Sequence, residues 1–457
     1  MKTNIGVIFI FLSILSLLFG VLWGSIASFQ FVFPNFFNAV PFFKTRPLHV
    51  SFVVSWIFLS AIGGIYYYLT THFKTPLFSR KMAVAHAWVF TITGTLISLC
   101  YLSGKFGGRE YWEFPVILAI PVFVSWLMFG INYFKTIVRV SGTWPVYLWM
   151  WATGICFFLF TFSESYLWLL PYFKNNIVRD LTVQWKAYGA MVGSWNMLVY
   201  GTAIFVMEKV KGDTRMAHSK LAFLMFFLGL ANLMFGWAHH LYIVPTAPWI
   251  RYLSYAISMT ELLIFAKIIW NWRKDLSGAR KRFYFIPYRF LVASNLWIFL
   301  NLTLALIISV PAVNIFKHGT HITVAHAMGS AIGINTMILL SSVLFIVGEV
   351  SGYRFSVIQK KTINAGFWIT NISLFFFCLF LIFAGVEKGI LVIENQLSFQ
   401  AIMAKINPWL ISFAIAGLGI FSGLVMVTTY PLLAIVYYLK NKTKPQPYEV
   451  DFIPTPN

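Results

Sequence analysis

Apolar residues in this chain fall in long, nearly unbroken runs, separated by short polar stretches that carry most of the charge. A helix needs about 20 apolar residues to cross the hydrocarbon layer of a bilayer. About twelve runs meet that length, near 5–28, 47–70, 83–104, 115–135, 143–169, 184–208, 219–242, 249–271, 285–310, 321–348, 363–386 and 406–438. The pattern predicts an all-α, polytopic membrane bundle of about twelve transmembrane helices over residues 1–440. Alternate connections are strongly basic: 73–81, 135–139, 209–220, 273–282, 354–361 and 440–444. Lys and Arg mark cytoplasmic loops, so these segments and both termini are expected in the cytoplasm. The opposite loops, including 107–115 and 170–186, are longer and richer in aromatics, Pro and acids. The first run is too long for a signal-peptide core and reads as a retained helix. Residues 441–457, with four prolines, read as an extended, disordered cytoplasmic tail.

Composition narrows the function classes. The chain of 457 residues is 59% hydrophobic and 10% charged, with a net charge of +21. Its Lys and Arg sit in short loops between spans, where they set topology, so the charge does not point to nucleic acid. Cys100, Cys156 and Cys378 lie singly inside apolar segments. They have no CxxC spacing and read as small core residues.

The chemistry lies in the histidines. His239 and His240 are adjacent at the end of the seventh span, in NLMFGWAHHLYIVP, with no acid beside them. Imidazole is a common metal ligand, and ionisable groups within a membrane are functional candidates by default. The alternative is a pair of interfacial histidines beside an aromatic belt of Trp237 and Tyr242. The expected topology puts His49, His318, His321 and His326 at the same outer depth as the pair. His72, His86 and His218 fall near the cytoplasmic side and read as structural. In HGTHITVAHAMGSAIGINT, residues two apart point to nearly opposite sides of a helix, so His326 and Met328 can face two different cofactors. The small residues Gly329, Ser330, Ala331 and Gly333 let a flat group approach the backbone, or equally let another helix pack there.

Five segments together resemble the haem–copper oxidase superfamily, and above all the large subunit of nitric oxide reductases: KTRPLH (44–49), GGREYWEFP (107–115), FGWAHHLY (235–242), SMTELL (258–263) and HGTHITVAHA (318–327). The resemblance runs over about residues 40–440. It implies a low-spin and a high-spin haem b, a non-haem iron and a calcium ion. Electrons would come from a cytochrome c-type small subunit or a quinol, and two NO molecules would be joined and reduced to N2O in the bacterial inner membrane. It implies His49 as an axial ligand of the low-spin haem and His326 as the proximal ligand of the high-spin haem. His239 and His240 would be iron ligands and Glu110 the calcium carboxylate, with Glu113 one turn on. Arg46 would pair with a haem propionate, and Glu261 would be an acid near the active site. The chain has no CxxCH, so no covalent c-type haem is expected.

Two departures change the expectation. Met328 stands where the family has a second histidine, which makes the low-spin pair His49/Met328 and raises that haem's potential. On the sixth span the family's His, Glu and Glu, each four apart, are replaced by Tyr188, Val192 and Asn196. Tyr188 either ligates iron as a phenolate or lines a pocket without a second metal. Three activities stay open: NO reduction; other NO or O2 chemistry such as NO dismutation; and a non-catalytic diheme electron carrier or gas sensor.

Overall fold

Four of the spans begin where a polar side chain takes over a free backbone N–H group. Asn4, Ser79, Asn176 and Ser219 each accept a hydrogen bond from an N–H in the first turn that follows. The sixth span ends at Gly212, whose φ of 68° places it in the left-handed region that suits a helix C-cap. The computed structural model describes residues 3–258, 260–352, 355–394 and 397–441. Among them, twelve helical stretches are long and apolar enough to cross a membrane: Ile5–Val32, Phe42–Thr71, Arg80–Leu102, Val116–Ile137, Val146–Leu169, Ile177–Lys211, Lys220–Leu241, Pro248–Asp275, Phe285–Ser309, Ile322–Val350, Val357–Glu394 and Phe399–Asn441. The chain is thus an all-α, polytopic membrane protein. The expected tail beyond Asn441 lies outside the described residues.

The first span packs along the second and the twelfth, the fifth along the sixth, and the eleventh along the twelfth. Close approach rests on small residues, as is usual where apolar helices meet in lipid. A Cβ on Gly6 would lie 2.6 Å from the carbonyl oxygen of Gly63, so the first two backbones touch there. The second and tenth spans are tied at several levels. Trp56 Nε1 donates to Thr336 Oγ1 at 3.0 Å, Tyr68 Oη and Ser342 Oγ are 2.6 Å apart, and His72 Nε2 lies 3.1 Å from Glu349 Oε2. That last contact gives His72 a carboxylate partner on the tenth span.

Three spans are broken near their functional residues. The seventh is α-helical over Lys220–Phe235 and then tightens to a 3-10 turn over Gly236–Leu241 that carries the histidine pair. The eighth consists of helices Pro248–Ile257 and Thr260–Asp275. The tenth is α-helical over Ile322–Met328, a π-helix over Gly329–Thr336 and α-helical again over Met337–Val350. Such π segments occur mostly at functional sites. A short helix, Pro311–Lys317, precedes the tenth span.

Candidate functional site

The 3-10 turn sets His239 and His240 side by side, with ring centroids 4.2 Å apart. The sixth span forms one wall. Trp185 stacks on His240 at 5.3 Å with planes 13° apart, and a Cβ on Gly189 would lie 2.6 Å from Trp237 Cβ. The helix Pro311–Lys317 closes over the turn, where Asn314 Nδ2 donates to the carbonyl of His239 at 3.4 Å and to that of Ile308 at 3.1 Å. Lys317, at its end, is 8% exposed. Its charge bears on His239, His240, His318 and His326. Burial pushes the Lys317 ammonium below its ordinary pKa and does the same to the His318 imidazole. Nδ1 of His239 and Nδ1 of His326 are buried and have no hydrogen-bond partner among the described residues. His321 goes elsewhere: its ring meets the edge of Phe31 at 5.8 Å, and burial lowers its pKa to about 4.

His49 is oriented by the first span. Its Nδ1 lies 2.7 Å from the carbonyl oxygen of Gly20, and a Cβ on Gly24 would come within 2.6 Å of that nitrogen. A ring that donates through Nδ1 presents Nε2 as its free lone pair, the usual arrangement of a metal-binding histidine. Met328 packs against the apolar core. His49 is seven residues before Trp56 and Met328 eight before Thr336, so the Trp56–Thr336 hydrogen bond puts both about two turns toward the same end of the bundle.

Residues 107–115 form an irregular loop, with Tyr111 at φ 70° and an isolated bridge between Arg109 and Trp112, so Glu113 is not one helical turn beyond Glu110. Arg46 joins both carboxylates, contacting Glu110 directly and Glu113 Oε1 at 2.8 Å. Burial raises the Glu113 carboxyl above its ordinary range, with its own backbone N–H and Arg46 pulling it back. Arg109 pairs with Asp180 of the sixth span at 2.8 Å rather than with Glu110. Glu164 pairs with Lys186.

Tyr188 turns toward this loop. Its ring meets Tyr111 at 5.0 Å and Trp185 at 6.4 Å, and Glu110, Glu113, Tyr111 and Arg109 are the ionisable groups that bear on it. Trp185 thus contacts both Tyr188 and His240. Asn196, two turns on, bonds Asn335 of the π-helix at 3.2 Å. Glu261 lies deeper, in an enclosed pocket lined with Asn196, Tyr200, Gly229 and Asn232. Its Oε1 accepts from Asn232 at 2.9 Å, and its Oε2 is buried without a hydrogen bond.

Residues 4–419 match the family described as cytochrome c and quinol oxidase polypeptide I. The chain belongs to that family. It is 27% identical over 404 residues to a nitric oxide reductase subunit of Stutzerimonas stutzeri, covering 80% of each chain. It is 22% identical over 416 residues to the Cbb3-type cytochrome c oxidase subunit CcoN1 of the same organism, covering 84% of each. A solved heme-copper terminal oxidase dimer has a chain that superposes with a TM-score of 0.72 at 14% identity, over 95% of this chain and 85% of that one. The family is one of haem-binding oxidoreductase subunits.

The donors present fit haem: His49 with its Nδ1 engaged, Met328 at matched depth, and His326 with an unpartnered ring nitrogen. They do not fit a second metal ion. Among the described residues no three His, Cys, Asp or Glu side chains converge on one point, and the histidine pair faces an ammonium in place of a carboxylate. Nor do the side chains present fit calcium, which takes six to eight oxygens. Glu110 and Glu113 already share the Arg46 guanidinium, which is thereby engaged with carboxylates of this chain.

Proposed function

We propose that this chain is the haem-bearing subunit of a bacterial inner-membrane oxidoreductase that reduces nitric oxide with electrons from a cytochrome c-type partner. The observation that carries the reading is the adjacent ring pair of His239 and His240 at the tightened end of the seventh span, with His326 of the tenth span near enough for its charge to bear on His240. The likeness to a nitric oxide reductase subunit over most of both chains supports NO as the substrate. His49 and Met328 would hold the low-spin haem, and His326 the high-spin haem. Bound haem supplies one-electron transfer and an open coordination position for a diatomic gas. The reaction balances as two NO, two electrons and two protons giving N2O and water.

The protein's own part is orientation and proton handling. Gly20 fixes the His49 ring through its carbonyl. Glu261, buried with one oxygen held by Asn232 and the other unbonded, holds a proton within the bundle. A carboxyl at that place can take up and release a proton, which suits it to relay one. The basic connections support a cytoplasmic side for both termini.

The test is anaerobic turnover of the purified protein with labelled NO and reduced cytochrome c, alongside haem quantification. N2O with two haems b per chain is expected. N2 plus O2 would mean dismutation, consumption of O2 in a parallel aerobic assay without turnover of NO would mean an oxidase, and two haems without turnover of either gas would mean an electron carrier or sensor.

A further inference from the structure

A guanidinium carries five N–H donors in one plane and no acceptor, so stacking its faces on aromatic rings still leaves its edge to be paired. Arg289, one turn into the ninth span, shows that division. Its Cζ lies 3.9 Å from the ring centre of Phe367, 5.0 Å from that of Phe285 and 5.6 Å from that of Trp368. Three rings thus supply cation–π contacts. The edge is unpaired: Nε and Nη1 are buried without a hydrogen-bond partner, and no carboxylate of the described residues bears on the group. An arginine that only snorkels to a membrane surface keeps its charged head in the polar zone. Here two of the three nitrogens are covered, and Nη2 is the one outside that buried set. The packing of the ninth span on the eleventh holds the rings in place. Phe367 is buried and meets Phe290 edge-on at 5.0 Å, Trp297 Nε1 donates to Asn371 Oδ1 at 2.8 Å, and Asn371 Nδ2 donates to the carbonyl of Phe367 at 2.8 Å. Phe285 and Trp368 are 49% and 54% exposed, so the open side of the cage lies on the outer surface of the bundle.

Both spans follow strongly basic connections. Residues 273–282 and 354–361 hold eight Lys or Arg and one acid, Asp275, which pairs with Lys211 at 3.0 Å. Such a density of positive charge draws anionic headgroups to the leaflet in which Arg289 lies. A phosphodiester offers two free oxygens and one negative charge to a guanidinium, and the acyl chains below it suit exposed aromatic rings. We propose that Arg289, framed by Phe285, Phe367 and Trp368, binds the phosphodiester of an anionic phospholipid on the basic side of the bundle. The site is separate from the histidine pair and from the proposed haem ligands, and it does not rest on the NO reductase reading.

The delipidated holoprotein in detergent is titrated with phosphatidylglycerol and with phosphatidylcholine, and bound lipids are counted by native mass spectrometry. Arg289→Met removes the charge at similar length, and Arg289→Lys keeps the charge without the planar fork. Arg282→Gln removes one exposed charge from the neighbouring connection. The first phosphatidylglycerol should bind saturably to the wild type and about tenfold or more weakly to Arg289→Met. Arg289→Lys should fall between them, and Arg282→Gln should match the wild type. Wild-type affinity in Arg289→Met overturns the proposal. An equal loss in Arg282→Gln also overturns it, because the attraction would then be diffuse and belong to the basic connections. Equal first-site affinity for phosphatidylcholine does the same, as does displacement of the lipid by inorganic phosphate at constant ionic strength, which would mean a free-anion site. If Arg289→Met fails to assemble, the wild-type comparison of the two lipids and the phosphate competition still decide. Lipid counting does not depend on turnover, so failure of the NO reductase reading leaves this test intact.

Discussion

Gly24→Ala is a one-carbon change that reaches the proposed low-spin haem through geometry alone. The added Cβ would lie 2.6 Å from His49 Nδ1 and 2.7 Å from its Cε1. Ordinary contact between such atoms is about 3.5 Å, so the ring must retreat by ~1 Å. The 2.7 Å contact between Nδ1 and the Gly20 carbonyl cannot survive that movement. Losing this hydrogen bond removes about 1 kcal/mol and makes the imidazole a weaker donor through Nε2. Ferric iron depends on that donation more than ferrous iron. With about 59 mV for each tenfold change in a one-electron equilibrium, the low-spin midpoint should rise by roughly 40 mV. The assay is a spectroelectrochemical titration followed at the low-spin α-band. Gly94→Ala is the control, because a Cβ there would meet nothing within 4 Å. A midpoint in Gly24→Ala that matches Gly94→Ala within a few millivolts would refute His49 as the ligand oriented by Gly20.

Met328→His should lower the low-spin potential, since imidazole donates more strongly to ferric iron than a thioether does; a titration showing no downward shift would count against Met328. His326→Ala should abolish CO binding to the reduced protein and leave the low-spin spectrum in place, and retained CO binding would reassign the high-spin ligand. Glu261→Gln keeps the hydrogen bond from Asn232 through its amide oxygen but cannot deliver a proton. It should slow turnover by about 10²-fold or more with haem content unchanged, and wild-type rates would remove Glu261 from the proton path.

The fold is largely legible in the sequence because a bilayer leaves the backbone few options. Every polar group of a span must be satisfied within a helix, so twelve apolar runs mean twelve helices. The bends are not legible. Nothing in GWAHHL distinguishes a 3-10 turn from the end of an α-helix, and the π segment at Gly329–Thr336 is set by packing, with Gly333 against Trp297 and Thr336 bonded to Trp56. The sixth span shows what spacing leaves out. The position of Tyr188 four residues before Val192 suggests a shared face, but the rotation of the span depends on Gly189 admitting Trp237 and on Trp185 stacking on His240. The motif around Arg46 does not reveal that a distant loop brings Glu110 and Glu113 to the same guanidinium. Lys317 carries no signal of its own beside HGTH, and its burial comes from the short helix that folds over the histidine pair.

The π segment has a consequence for how insertions and deletions in the tenth span should be read. Each α-helical residue turns the chain by about 100°, and a π segment accommodates its extra residue by widening a turn. The part bearing His326 and Met328 therefore keeps its phase relative to the buried part that begins at Met337, although the stretch between them holds an extra residue. Deleting one residue between 329 and 336 would let the segment revert to α-helix with its hydrogen bonds intact. It would leave His326 and Met328 close to their present direction, because the widened turn had already absorbed the extra residue. Relatives shorter by a single residue in this stretch would thus present the same flanking side chains to the same space, with the gap confined to 329–336.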